Sequence, residues 1–126
     1  MPKSLSLFEC ALPESGQRNL LILGAARSGL AAASLAVSKG WRVWIADDSE
    51  VKADLLRRIE EAGAQLWTQL DNFEEVDLLL LSPAVQPSNP FVQAAYARAL
   101  RVCSEVDFAR SYFAGRVVGI TGSNGK

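Results

Sequence analysis

The sequence predicts an α/β protein with a parallel five-stranded sheet covered by helices on both faces. Short, almost continuously apolar runs alternate along the chain with segments in which apolar residues recur at helical spacing. The runs do not alternate apolar with polar residues, which is typical of parallel strands buried on both sides. Glycine or proline marks most junctions between the runs and the helical segments.

The first half of the chain supplies three strands and two helices. Residues 19–23 form an apolar run that predicts the first strand, and the Ala- and Leu-rich residues 28–39 predict the first helix. Residues 41–46 predict the second strand. Over residues 50–62, apolar side chains recur at helical intervals among charges, as in an amphipathic surface helix. A short third strand is expected at residues 64–67.

The second half continues the same alternation. Residues 77–81 form the most apolar strand, and three prolines stiffen the turn that follows. Residues 90–99 predict a helix that begins at a proline, where the missing N–H costs nothing. A fifth short strand is expected at residues 101–103, and a helix capped by Ser-x-x-Asp at residues 104–112. Residues 117–121 predict one further strand, which we expect to be frayed without its partner strands.

The first glycine-rich turn predicts a nucleotide site. The segment from Gly24 to Gly29 has the frame of the G-x-G-x-x-G dinucleotide fingerprint, with Ala26 at the middle position. Asp47 ends the second strand, where an acid accepts hydrogen bonds from a ribose or a base. Because the carboxyl ends of parallel strands meet at one edge, Gly24, Asp47 and Ser82 should converge on one Rossmann-like ligand site.

A second phosphate-binding loop is predicted at the end of the chain. Residues 119–126 read Gly-Ile-Thr-Gly-Ser-Asn-Gly-Lys, so backbone N–H groups and the Lys126 charge would cradle a nucleotide phosphate. A general P-loop has its first glycine where Ile120 stands, but the core matches a narrower pattern. A serine or threonine that binds Mg²⁺ normally follows this lysine. We therefore expect the chain to be the front piece of a longer enzyme.

Composition narrows the range of partners. The net charge of −1 and the pI near 5.4 leave no basic face for nucleic acid or anionic lipid. The longest apolar stretch is too short to span a bilayer. Histidine is absent and the two cysteines, Cys10 and Cys103, are far apart in sequence, which argues against a metal cluster or a Cys-His catalytic pair. We expect no nucleic acid, membrane or metal partner, and a cytoplasmic setting.

Four segments together resemble the Mur ligases, and among them the branch that adds D-glutamate. They are GAARSGLAA at 24–32, GWRVWIAD at 40–47, SPAVQPSNP at 82–90 and GITGSNGK at 119–126. The resemblance runs from about Asn19 to the last residue. It implies a lead-in at 1–18, a UDP-sugar-binding Rossmann-like domain at 19–101, and the start of the central P-loop ATPase domain at 102–126.

The resemblance also implies roles for individual residues. The UDP group would be held by Gly24, Arg27, Ser28, Gly29, Asp47, Asp48, Ser82, Pro83 and Ala84. ATP would be held by Gly122, Ser123, Asn124, Gly125 and Lys126. Lys126 would be catalytic because it neutralises charge that builds on the transferred phosphoryl group. Ala26 and Ala84 stand where the family usually has glycine.

The implied reaction is the ATP-dependent formation of an amide bond in peptidoglycan biosynthesis. ATP would phosphorylate the L-alanyl carboxylate of UDP-N-acetylmuramoyl-L-alanine, and the amine of D-glutamate would then displace phosphate. ATP and Mg²⁺ would act in the full-length enzyme, which is expected to be monomeric. The present residues alone are expected to bind the uridine nucleotide weakly, to bind no cofactor tightly and to catalyse nothing.

Other interpretations stay open. The glycine loop also fits an ordinary strand-to-helix turn, with Asp48 as a solvated turn acid and Arg27 as an exposed surface charge. The terminal loop also fits an Asn-Gly turn followed by a lysine. For function, the alternatives are an NAD-dependent oxidoreductase built on the first loop, a nucleotide-binding regulatory domain, or another Mur ligase.

Overall fold

The fold is known from a computed structural model, which describes residues 18–47, 52–68, 73–83, 85–116 and 118. Five strands and four helices alternate in these residues. They are β1 (Asn19–Leu23), α1 (Arg27–Ser38), β2 (Arg42–Ala46), α2 (Ala53–Glu61), β3 (Gln65–Leu66), β4 (Leu78–Leu81), α3 (Pro90–Ala97), β5 (Arg101–Ser104) and α4 (Glu105–Ser111). The predicted α/β class is confirmed.

All five strands are parallel and lie in the order β3-β2-β1-β4-β5. β1 is central, because Leu21 is level with Trp44 of β2 on one side and with Leu79 of β4 on the other. The chain therefore runs outward from β1 through β2 and β3, and then returns to the other side of β1. In open parallel sheets, ligands bind outside the carboxyl ends of the strands at such a reversal.

Alternate residues of β1 enter two separate cores. Leu20 and Ile22 are fully buried in the core that includes residues of α1, α2 and α4, whereas Leu21 and Leu23 belong to the core on the other face, with α3. Phe108 of α4 is also fully buried in the first of these cores. Burial on both faces explains why the strands are continuously apolar in the sequence.

Two helices begin with side-chain capping contacts, of which the one at Ser104 was predicted from the sequence. Ser104 Oγ accepts a hydrogen bond from the Asp107 N–H at 3.1 Å, as the Ser-x-x-Asp pattern predicts. Asn89 Oδ1 accepts one from the Phe91 N–H at 2.8 Å, and Pro90 occupies the first position of α3. These caps fix the residues at which α3 and α4 begin, after the carboxyl ends of β4 and β5.

β3 is shorter than the run predicted at residues 64–67. Only Gln65 and Leu66 pair with the neighbouring strand, opposite Trp44 and Ile45. Among the described strands, β3 lies at the edge of the sheet and has a single neighbour, so half of its backbone groups pair with none of these strands.

The strand predicted at 117–121 and the phosphate loop that follows it lie outside the described residues, apart from Val118. The same holds for the lead-in at 1–18, of which only Arg18 is described. Within the described ranges, no helix combines the length and the apolar character needed to cross a bilayer.

Candidate functional site

A cavity of about 360 Å³ opens at the carboxyl edge of the sheet, where β1, β2 and β4 end. It is lined by Leu23, Gly24, Ala26, Ala46, Asp47, Ser82, Val85, Gln86, Asn89 and Phe91. Small-molecule sites occupy roughly 300 to 1,000 Å³, so the cavity is large enough for part of a nucleotide. The three strand ends that the sequence singled out, Gly24, Asp47 and Ser82, all lie in this lining.

Two short hydrogen bonds hold the glycine loop to the end of β2. The Gly24 N–H donates to the Ala46 carbonyl oxygen at 2.8 Å, and the Ala25 N–H donates to Asp47 Oδ2 at 2.7 Å. Gly24 has a φ of +105°, a conformation that L side chains rarely adopt. The turn therefore requires glycine at this position, and the Asp47 carboxylate anchors the loop as well as lining the cavity.

Gly29 allows α1 to approach the loop closely. A Cβ atom at this position would lie 2.1 Å from the Gly24 carbonyl oxygen, which is the helix–strand packing role that the fingerprint gives to its last glycine. Ala26 has a φ of −75° and a ψ of 178°, which is ordinary extended backbone. Alanine in the middle position therefore introduces no backbone strain.

The N-terminus of α1 lies beside the cavity. Its N-cap residue is Ala26, whose side chain cannot accept a hydrogen bond from the first-turn N–H groups, and the first turn contains no acidic residue. Arg27 and Ser28 are exposed there. Such a helix end attracts anions through its N–H groups and the helix dipole. The arrangement suits a phosphate group, with the Arg27 cation next to it.

The loop after β4 closes the other side of the cavity. Ser82 is buried, and its Cβ lies 3.3 Å from the position that a Cβ on Gly24 would take. The Val85 N–H donates to the Ser82 carbonyl oxygen at 3.0 Å and closes a turn. The buried ring of Phe91 lies at the start of α3, which Asn89 caps. An apolar wall with few polar groups suits a base or a sugar ring.

Sequence reasoning missed the lining residues beyond this turn, which are Val85, Gln86, Asn89 and Phe91. Their signal was present in the three prolines that stiffen the segment and in the Asn-Pro pair, which is a helix N-cap followed by a first-turn proline. That signal identifies the start of a helix but not the wall of a cavity.

The other residues that were predicted to contact a nucleotide do not line the cavity. Four of them are described but lie outside it: Arg27, Ser28, Gly29 and Pro83. Arg27, Ser28 and Pro83 are exposed, whereas Gly29 is buried beneath the loop. The remaining ones fall outside the described residues, and their roles stay predictions: Asp48, Ala84, Gly122, Ser123, Asn124, Gly125 and Lys126.

A buried carboxyl group lies at the start of α4, which packs against α1. Glu105, the first residue of α4, is 7% exposed. Burial raises the pKa of Glu105, and the nearby Ser28 side chain offsets part of that rise. Glu105 Oε1 has no hydrogen-bond partner in the described part of the chain. Only its place directly after the capping serine could have marked this residue in the sequence.

No protein-family model matches the chain. Curated relatives do match it. The UDP-N-acetylmuramoylalanine–D-glutamate ligases of Syntrophus aciditrophicus and Anaeromyxobacter dehalogenans are 34% and 35% identical to it over 118 and 127 aligned positions. These alignments cover 89% and 92% of this chain and 26% of each relative. The chain thus spans about a quarter of the length of the curated relatives that it matches.

Solved structures share the fold. The UDP-N-acetylmuramate:L-alanyl-gamma-D-glutamyl-meso-diaminopimelate ligase from Neisseria meningitides matches with a TM-score of 0.60 and 17% identity, covering 71% of this chain and 29% of that one. The UDP-N-acetylmuramate-alanine ligase from Thermotoga maritima matches with a TM-score of 0.60 and 21% identity, covering 75% and 22%.

The sheet order, the glycine loop and the cavity define a Rossmann-like domain of the kind found in the Mur ligases. Fold similarity alone does not distinguish among these ligases. The sequence similarity goes further: the chain is related to the N-terminal part of the UDP-N-acetylmuramoylalanine–D-glutamate ligases.

Proposed function

We propose that this chain provides the uridine-diphosphate-binding domain of a ligase that joins D-glutamate to UDP-N-acetylmuramoyl-L-alanine with the use of ATP. The observation that carries the proposal is the cavity at the ends of β1, β2 and β4, which combines an uncapped helix N-terminus with an apolar wall. The relatives named for this reaction match nearly the whole chain and direct the choice of ligand.

In this proposal the diphosphate lies at the first turn of α1. The N–H groups of that turn and the Arg27 guanidinium bind its oxygens, which are the partners that a guanidinium and a helix N-terminus prefer. Gly24 and Gly29 keep the loop compact enough for the phosphates to approach the backbone. Ser28 offers its hydroxyl group from the same turn.

The nucleoside occupies the cavity itself. Asp47 fixes the loop through the Ala25 N–H and, together with Asp48, accepts hydrogen bonds from the ribose and the uracil. Ser82 lines the cavity from the loop after β4, and in this proposal Pro83 and Ala84, which follow it in the sequence, would contact the nucleotide there. These residues orient the nucleotide sugar so that its L-alanyl carboxylate extends toward the phosphoryl donor.

The ATP side of the proposal concerns residues 122–126. Lys126 and the loop amides would hold the β- and γ-phosphates, and Mg²⁺ would neutralise charge on the transferred phosphoryl group in the whole enzyme. We propose that the whole enzyme is a monomer that acts in the cytoplasm. The present residues bind the uridine nucleotide but do not catalyse the reaction without the rest of the enzyme.

Calorimetric titrations of the chain with UDP, uridine and NADH test the proposal. We expect UDP to bind weakly and uridine more weakly, since uridine lacks the diphosphate. Arg27→Ala should weaken UDP binding by about tenfold, the size of one hydrogen bond to a charged group, and leave uridine binding unchanged. The control is Arg57→Ala, because Arg57 is exposed on α2, pairs with Asp54 and does not line the cavity.

Two outcomes would contradict the proposal. Tight binding of NADH without any binding of UDP would favour the oxidoreductase alternative. An equal loss of UDP affinity in Arg27→Ala and Arg57→Ala would show that only the net charge of the surface matters, and that no diphosphate lies at α1.

A further inference from the structure

Gln86 places an amide group at the rim of the cavity. It lines the cavity and is exposed to solvent. The amide of Asn89 also lines the cavity, but its oxygen accepts the Phe91 N–H and caps α3. The Gln86 amide, by contrast, forms no hydrogen bond with the described residues. An amide has both a donor and an acceptor, so it can bind a ligand group that offers both.

A braced turn holds the backbone at Gln86 in place. The Asn89 N–H donates to the Gln86 carbonyl oxygen at 3.0 Å. Pro87 occupies the second position of this turn, which proline favours, and it restricts the backbone of the residue before it. Gln93 Nε2 of α3 donates to the Pro87 carbonyl oxygen at 2.7 Å. The Gln86 side chain therefore extends from a fixed position, which lowers the entropic cost of binding a ligand through it.

The sheet order decides which part of a nucleotide sugar reaches Gln86. β2, which leads to Asp47, and β4, which precedes the Gln86 loop, lie on opposite sides of β1 and its glycine loop. Their ends are separated by about 10 Å, which is two strand spacings. With the nucleoside at Asp47 and the diphosphate at the first turn of α1, the ligand crosses the end of β1 toward β4. Gln86 then faces the sugar that is bonded to the second phosphate.

The lining at Gln86 is complementary to an acetamido group. Such a group has an N–H donor and a carbonyl acceptor, and the Gln86 amide can accept from the first and donate to the second. Its methyl group requires an apolar neighbour, which Val85 and the buried ring of Phe91 supply in the same lining. A sugar hydroxyl group has a single oxygen and no methyl group, so it matches this part of the cavity less well.

We propose that Gln86 is a specificity-determining residue that selects nucleotide sugars with an acetamido group at C2 of the sugar. This inference rests on the proposed function, in which the sugar carries such a group. The diphosphate is bound by the N–H groups of α1 and by Arg27, because a neutral amide is a weaker partner for an anion than a guanidinium. Gln86 thus affects the choice among nucleotide sugars and not the affinity for UDP itself.

Calorimetric titrations of the chain with UDP-N-acetylglucosamine, UDP-glucose and UDP test this role. The two sugars differ only at C2, where the first has an acetamido group and the second a hydroxyl group. We expect the chain to bind UDP-N-acetylglucosamine about tenfold more tightly than UDP-glucose, the effect of one or two additional hydrogen bonds between neutral groups. UDP gives the reference affinity of the site without a sugar.

Two variants at Gln86 should abolish this preference. Gln86→Ala removes the amide, and Gln86→Met keeps the length of the side chain without an amide donor or acceptor. Both should bind the two sugars with equal affinity and bind UDP like wild type. Gln65→Ala is the matched control, because Gln65 is an exposed glutamine of β3 that does not line the cavity. It should keep the tenfold preference.

The results separate this inference from the proposed function. A preference that survives both Gln86 variants, or its absence from a wild-type chain that binds UDP, would overturn the role of Gln86 and leave the proposed function intact. An equal loss of affinity for both sugars in Gln86→Ala would show a contact with a group common to the two sugars, and would overturn selection of the acetamido group. The absence of UDP binding would instead overturn the proposed function and this inference with it.

Discussion

Replacement of Gly29 by alanine tests whether α1 depends on close contact with the glycine loop. Alanine is favoured over glycine within a helix by about 1 kcal/mol, and the backbone of Gly29 is not in the left-handed region. The new Cβ, however, would lie 2.1 Å from the Gly24 carbonyl oxygen, a backbone atom that cannot rotate away. Overpacking of this kind costs about 3 kcal/mol at the upper end of its usual range.

The higher helix propensity of alanine would stabilise the protein, whereas overpacking would destabilise it. The sign of the change in the free energy of unfolding therefore shows which effect is larger. We expect Gly29→Ala to lower the free energy of unfolding by about 2 kcal/mol. Urea denaturation, followed by far-ultraviolet circular dichroism and by tryptophan fluorescence, would measure it. The displaced loop should also lose affinity for UDP.

Gly40→Ala is the matched control. Gly40 has a φ of +89°, and a Cβ there would meet nothing within 4 Å. This variant should lose about 1 kcal/mol through backbone strain alone and bind UDP like wild type. If Gly29→Ala proved more stable than wild type, α1 would not be in close contact with the loop and the reasoning would be refuted.

Three further changes test the site and its support. Asp47→Asn should weaken UDP binding, whereas Asp77→Asn should not. The two carboxylates are a matched pair because each accepts a hydrogen bond from a backbone N–H: Asp47 from Ala25 at 2.7 Å and Asp77 from Asn19 at 2.8 Å. Equal effects of the two variants in a calorimetric titration would show that Asp47 does not belong to the site. Phe108→Ala should lower the free energy of unfolding by about 3 to 5 kcal/mol, because Phe108 is fully buried. Phe113 is 52% exposed, so Phe113→Ala should lower the free energy of unfolding by well under half of that amount in the same urea experiment. Burial raises the pKa of Glu105, so the folded chain holds a proton that the unfolded chain releases, and the free energy of unfolding should fall as pH rises from the ordinary glutamate pKa through the raised one. Glu105→Gln should remove this pH dependence in urea titrations at several pH values. An unchanged pH dependence would count against a buried carboxyl group.

The strands could be predicted from the sequence because burial on both faces affects every residue of a strand. Leu20 to Leu23 are all buried, and so are Leu78 to Leu80. The length of β3 could not be predicted in this way. An edge strand is defined by which backbone groups find a neighbour, and its exposed Gln65 leaves no apolar signal.

The site was only partly predictable for a similar reason. Gly24 and Asp47 follow directly from the strand-turn-helix pattern, because local chain geometry demands them. The sequence could not show whether Asp47 accepts a hydrogen bond from the Ala25 N–H or from a ribose hydroxyl, since a carboxylate accepts either donor equally well. The burial of Glu105 depends on how α4 docks against α1, which no local pattern records.

The packing of α4 bears on where the domain that carries the candidate site ends. β5 is paired with β4 from Arg101 to Ser104, and the Phe108 ring lies 5.6 Å from that of Trp41, beside the end of α1. Trp41 Nε1 donates to the Tyr112 hydroxyl at 2.7 Å. A boundary at residue 101 would divide this core and leave a buried indole N–H without its partner. We therefore propose that the first domain continues through α4, so that this helix connects the domain of the glycine loop to the segment that leads toward the predicted ATP site.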